Sequence, residues 1–142
     1  DLVSQAVALT AAELQAKGIR LESAVEPGLP PVRGSRDRLL QVLYNLITNA
    51  RDAMPNGGTI TIRASREKKT VRVAVQDTGI GIPKANLPRI FDAFFTTKST
   101  VSGVGLGLSV SHGIVLQHRG SLEVQSEEGK GSTFTVILPC EE

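Results

Sequence analysis

The stretch "VRVAVQDTGIGI", Val71 to Ile82, passes from a strand into a glycine loop around a single carboxylate. Val71, Val73 and Val75 alternate with Arg72, Ala74 and Gln76, the period of a strand with one covered face. Asp77 stands where that run ends, and Gly79 and Gly81 follow at alternate positions. Asp-Thr-Gly is ordinary turn chemistry. The rest of the chain decides between a turn and a binding site.

Working outward, "TITIRAS" precedes the stretch and is joined to it by the charged turn "REKK", which predicts a β-hairpin. Before it, Ser35 is a good N-cap for a helix running to Met54 and ending at "PNGG". Further upstream, "IRLESAVE" predicts a strand from Ile19 to Glu26, and "PGLPP" breaks it. Residues 2–17 predict a helix with Leu2, Val3, Ala6, Val7, Thr10 and Leu14 on one face and Gly18 as its stop. Downstream, residues 82–104 hold a short apolar helical piece, "LPRIFDAFF", and then "TTKSTVSG". A helix over roughly 105–118 follows, then strands "SLEVQSE" and "STFTVILP" separated by "EGKG". The order α, β, α, β, β, irregular segment, α, β, β predicts one mixed sheet and one two-layer α/β core. An irregular segment of that length is rare unless it is a lid or binding loop.

Composition narrows the class. The chain has 142 residues, 40% hydrophobic and 21% charged, which suits one soluble globular domain. A net charge of +2 with 4% aromatics gives no case for a nucleic-acid surface. One cysteine, Cys140, precludes a disulfide within the chain and fits a reducing compartment, so a cytoplasmic location is expected. No apolar run reaches the ~18 residues of a membrane span. The chain starts at Asp1 without a Met, and a piece of a longer protein is expected.

Two further motifs carry chemistry. On the second helix, Leu39, Leu43, Leu46, Ile47, Ala50 and Met54 form the apolar stripe, while Gln41, Asn45, Asn49 and Asp52 lie on another. Asn45 and Asn49 are one turn apart on one face. Two amides there suit a solvated face, or a hard cation such as Mg²⁺, which commonly takes few protein oxygens. "GVGLGLS", Gly103 to Ser109, places Gly103, Gly105 and Gly107 ahead of a helix, whose N-terminus is an anion site. It is neither a P-loop nor a dinucleotide fingerprint.

Together, "QVLYNLITNARDA", "DTGIGI", "RIFDAFFTTK", "GVGLGLS" and "GKGSTF" resemble, in order and spacing, the N, glycine and F boxes of the sensor histidine kinase ATP-binding domain. That family shares a superfamily with DNA gyrase B, Hsp90 and MutL. The short "FFTTKS" lid is most similar to kinases of the nitrogen-regulation sensor type. The resemblance runs from about Ile19 to Pro139 and implies a Bergerat-type two-layer α/β sandwich, with about five strands and three helices on one face.

It implies roles residue by residue. Asp77 would accept a hydrogen bond from the adenine amino group of ATP, with Gly79 and Gly81 letting the backbone pass beside the base. Thr133 would stand near the same edge, and Ile82 and Leu108 would wall the base. Asn49 would hold Mg²⁺, with Asn45 assisting at the metal or phosphates and Ala53 one turn further on. Thr97 and Lys98 would act from a lid over about residues 84–103, with Lys98 reaching the terminal phosphate. Gly103, Val104, Gly105, Leu106 and Gly107 would cradle the phosphates. Ala93, Val104 and Arg119 depart from the usual pattern at a proline, a threonine and a glycine.

The resemblance also separates kinase from hydrolase. Hydrolases of the superfamily carry a glutamate four residues before the metal asparagine; here that position is Asn45, and an amide is no general base. Transfer to an external histidine is therefore expected, on a dimerisation and phosphoacceptor domain of the same kinase, and from there to a response regulator. His112 and His118 read as ordinary helix residues, His118 near a C-terminus that favours a cation. An anti-sigma-type serine kinase or a regulatory nucleotide-binding module are the alternatives.

Overall fold

The computed structural model describes residues 2–30, 32, 34–90 and 107–140. Its elements run α1 (Leu2–Ala16), β1 (Ile19–Val25), α2 (Arg36–Asp52), β2 (Gly58–Glu67), β3 (Thr70–Asp77), a short 3₁₀ helix (Lys84–Arg89), α3 (Gly107–Gln117), β4 (Ser121–Glu127) and β5 (Gly131–Pro139).

The strands form one five-stranded sheet in the order β1-β2-β3-β5-β4. Only β1 and β2 are parallel, as their connection through α2 requires. The other neighbours pair antiparallel. Alternation then sorts the side chains. Ile60, Ile62, Val75, Phe134, Val136 and Leu138 are buried on one face, in one cluster with Leu14 of α1, Leu46 and Ile47 of α2, and Ile114 and Val115 of α3. Arg63, Arg72 and Glu123 alternate with them, and the Arg72 guanidinium reaches Glu67 at 2.8 Å and Glu123 at 3.2 Å. The sheet is thus covered by helices on one face and polar on the other, the two-layer sandwich the sequence implied.

Local chemistry sets the element ends. Ser35 caps α2 by accepting from the Arg38 N–H at 3.3 Å. That helix ends at Asp52 with Ala53 as its C-cap, two residues short of the expected Met54, which is nevertheless buried. Thr10 lies buried on the apolar face of α1 because its hydroxyl donates to the Ala6 carbonyl at 2.8 Å.

Two expectations change. Arg66 and Glu67 belong to β2 rather than to a turn, and only Lys68 and Lys69 link the strands. The extra length is supported by the Arg66 N–H donating to Glu26 Oε2 at 3.0 Å and by the Glu67–Arg72 ion pair. The helical piece expected over "LPRIFDAFF" begins earlier, as the 3₁₀ helix Lys84–Arg89, and Ile90 after it is buried. The remainder of that piece lies outside the described residues.

Candidate functional site

The end of β3 meets three other pieces of the chain. Asp77 is 3% exposed. Its Oδ1 accepts from the Gly79 N–H at 2.9 Å, closing an Asx-type turn, and from the Ser132 N–H of β5 at 3.3 Å. Among the described residues no hydrogen bond reaches Oδ2, so one oxygen is spent on holding the carboxylate and the other is left for a donor. Burial pushes the carboxyl above its ordinary value of 3.8, and the two backbone donors oppose that shift.

Protein backbone crowds the glycines after Asp77. A Cβ on Gly79 would lie 2.3 Å from the Ala53 carbonyl oxygen, and the next N–H, of Ile80, donates to that same oxygen at 2.9 Å. A Cβ on Gly81, whose φ is +73°, would lie 2.2 Å from the Glu127 carbonyl oxygen. The Gly129 N–H donates to the Ile80 carbonyl at 2.7 Å. The loop is therefore clamped between the C-cap of α2 and the β4–β5 turn. Ala53 enters the site through its backbone.

Sequence reasoning missed Ser126 and Ser132. Ser126 Oγ accepts from the Ile82 N–H at 2.7 Å and stands 2.8 Å from Ser132 Oγ and 3.0 Å from the Gly131 carbonyl. It ties the glycine loop to the end of β5. Ser132, not Thr133, stands beside the carboxylate. Thr133 pairs with Gln76, one residue before Asp77, and so projects from the opposite face of the sheet. Strand parity sets Thr133 apart from Ser132, although both line one recess with Asp77.

Asn45 and Asn49 are half-buried on one face of α2. The Asn45 amide donates to Ser111 Oγ on α3 at 3.2 Å, and Ser111 itself is fully buried. Ile82 and Leu108 pack against the edge of the core. Gly107 opens α3. Thr97, Lys98, Gly103, Val104, Gly105 and Leu106 lie outside the described residues. Among the described residues no group of three or more His, Cys, Asp or Glu gathers, so a metal here would rest on amide oxygens and on ligand phosphates.

A buried strand-end carboxylate with one oxygen held, over a glycine loop clamped to α2, is what the match to known families then explains. The sequence family described as "Histidine kinase-, DNA gyrase B-, and HSP90-like ATPase" matches residues 34–142. The chain belongs to this family. Its relatives within the ATPase family include the sensor histidine kinase ZraS of Escherichia coli (strain K12), 42% identical over 138 residues and covering 97% of this chain. Sporulation kinase A of Bacillus subtilis (strain 168) is 37% identical over 97% of the chain. The chain spans 29% of the length of that ZraS and 22% of that of the sporulation kinase. Among solved structures, the catalytic domain of histidine kinase ThkA superposes with a TM-score of 0.86 at 31% identity, over 98% of this chain and 92% of that one. Full-length ShkA in complex with AMPPNP matches with a TM-score of 0.86 and 31% identity, over 98% of this chain and 29% of that one. The family, the fold and the histidine kinase catalytic domain are therefore common to this ATPase domain and its relatives.

Proposed function

We propose that this chain binds Mg-ATP and presents its terminal phosphate to a histidine on a separate dimerisation and phosphoacceptor domain of the same protein, from which a response regulator receives it. The observation that carries the reading is the Asp77 carboxylate, buried and held at Oδ1, with Oδ2 left for a donor such as the adenine amino group. A base with an acceptor at that position would meet a second acceptor, so the site selects adenine over guanine.

The other roles follow from residue chemistry. Asn49 offers an amide oxygen suited to Mg²⁺. Bound Mg²⁺ supplies charge neutralisation at the phosphates. Asn45 stands one turn before it, tied to α3 by Ser111. As an amide it removes no proton from water, which keeps the nucleotide for an external acceptor. Lys98, with Thr97 and the run Gly103 to Leu106, is proposed to contact the phosphates from a lid over about residues 84–103. Ser132 replaces Thr133 as the residue proposed beside the base. A match to the nitrogen-regulation type of sensor kinase rests on "FFTTKS" and is proposed with these roles. No helix among the described residues is long and apolar enough to cross a membrane. Work in the cytoplasm, within a full protein that carries any anchor elsewhere, is part of the proposal.

Calorimetry on Asp77→Asn tests the reading. Loss of a hydrogen bond to a charged acceptor is expected to weaken Mg-ATP binding by about ten- to a hundredfold. Unchanged affinity would sink the assignment of the base to Asp77.

A further inference from the structure

Helix α2 begins with an incomplete cap. A capping box uses the N-cap hydroxyl for the N3 amide and an N3 Glu or Gln side chain for the N-cap amide. Here Ser35 Oγ serves the Arg38 N–H. Residue N3 is Arg38 itself, a donor-only side chain that cannot serve the Ser35 N–H in return. The missing acceptor comes from α3. The Ser35 N–H donates to His118 Nε2 at 3.0 Å, across 83 residues of sequence.

That contact fixes the imidazole. The Ser35 amide is only a donor, so Nε2 accepts and the proton of the neutral ring sits on Nδ1. Nδ1 lies 2.8 Å from the Ile114 carbonyl and donates to it. The Ser35 amide and the Ile114 carbonyl thus hold the ring at both nitrogens. Gly34 completes the fit, since a Cβ there would lie 2.1 Å from Cδ2 of the ring. Next to it, Arg38 Nη1 donates to Gln117 Oε1 at 2.7 Å. At the other end of the same helix pair, Asn45 bonds Ser111. The pairings 35 with 118, 38 with 117 and 45 with 111 run antiparallel along α2 and α3. These two helices carry Asn49 and the start of the phosphate-side helix at Gly107.

We propose that His118 is a positioning residue for nucleotide binding: by accepting from Ser35 over Gly34 it fixes the axial register of α2 against α3, and thereby the spacing between Asn49 and the N-terminus of α3. The clasp lies about 20 Å from Asn49 along α2, counting 1.5 Å per residue, so His118 touches no ligand. A rigid helix transmits an axial shift along its length without loss, and a change at the clasp appears at the metal and phosphate end. The adenine corner rests on β3, β4 and β5 and meets α2 only at the Ala53 carbonyl, whereas Asn49 is carried on α2 itself.

This inference rests on the nucleotide-binding reading, and its test separates the two. Binding of Mg-ATP and of adenosine is measured by calorimetry for the chain, for His118→Phe and for His118→Gln. His118→Phe keeps a ring and removes both nitrogens. It is expected to weaken Mg-ATP by about fivefold through the shifted register, and adenosine, which meets neither the metal nor the phosphate end, by less. His118→Gln offers an acceptor again and is expected to recover most of the loss. Equal weakening of both ligands in His118→Phe, or no weakening, overturns the register role while the nucleotide reading stands. A wild-type chain that binds neither ligand overturns that reading itself. Should His118→Phe fold poorly, nitrogen-15 chemical shifts of the wild-type imidazole decide instead. An Nδ1-protonated tautomer that persists with Mg-ATP supports the clasp, and an Nε2-protonated one refutes it.

Discussion

The loop from Gly79 to Gly81 and the turn at Arg119 and Gly120 both follow a regular element, and both need unusual backbone, yet they distribute glycine differently. In the first, glycine stands wherever a foreign backbone oxygen comes close, at Ala53 and at Glu127, and Gly81 also takes a left-handed φ of +73°. In the second, the two demands fall on different residues. Arg119 takes the left-handed φ of 61° in a Schellman-type ending, with Gly120 N–H donating to the Val115 carbonyl at 3.0 Å and Arg119 N–H to that of Leu116 at 3.0 Å. Gly120 instead meets the Ile137 carbonyl oxygen, 2.2 Å from where its Cβ would be. A left-handed residue costs about 1–2 kcal/mol and can be tolerated. A Cβ inside a carbonyl oxygen can only be relieved by moving a strand or a turn.

The strongest way to break that comparison is Gly81→Ala. Overpacking against Glu127 and the left-handed φ are expected to cost about 2–5 kcal/mol together, read by chemical denaturation. A loss under about 1 kcal/mol would mean that the clamp on the loop gives way easily.

A smaller effect, with a sign that depends on pH, is expected for Asp77→Asn. Burial raises the Asp77 carboxyl above its ordinary 3.8, so the folded state holds the proton more tightly than the unfolded state. Its contribution to stability is present below the unfolded value and is lost as pH rises through the raised one. Asn carries no charge to bury and still offers an oxygen to Gly79 and Ser132. The thermal midpoint of the variant relative to wild type should therefore climb with pH across that window and then level off, even as its nucleotide affinity falls. A difference that stays constant with pH would show that Asp77 is solvated in the folded chain.

The least change is expected from Arg119→Gly, a net gain of about 0.5–1 kcal/mol after glycine's own entropy cost. A loss of stability would show that the arginine makes contacts worth more than its strain.

These particulars also show what was legible in the sequence. Alternation in "VRVAVQD" and "STFTVILP" placed β3 and β5, and Ser35 placed the start of α2, because period and caps are local. The same alternation separates Ser132 from Thr133. Phe134 must face the core, so Ser132 shares its face and Thr133 does not. Ser126 and His118 were not legible, since their partners Ile82 and Ser35 lie 44 and 83 residues away. The sequence held half of the second signal, an Arg at N3 of α2 where an acceptor would serve, but nothing local names the residue that answers it. Gly79 and Gly81 were seen, and only the fold revealed that the Ala53 and Glu127 carbonyl oxygens leave no room for a Cβ there.

The strand order bears on how the chain assembles. The β2–β3 hairpin closes over two residues, Lys68 and Lys69, and the β4–β5 hairpin over three, from Glu128 to Lys130. Joining β3 to β5 brings Gln76 to Thr133 across most of the remaining chain. Short closures precede long ones, because loop entropy must be spent before a distant contact returns anything. Asp77 and Ser132 face each other across that late seam. The Ser132 N–H donates to Asp77 Oδ1 at 3.3 Å, so the carboxylate itself fastens the two halves of the sheet where the loop to be closed is longest.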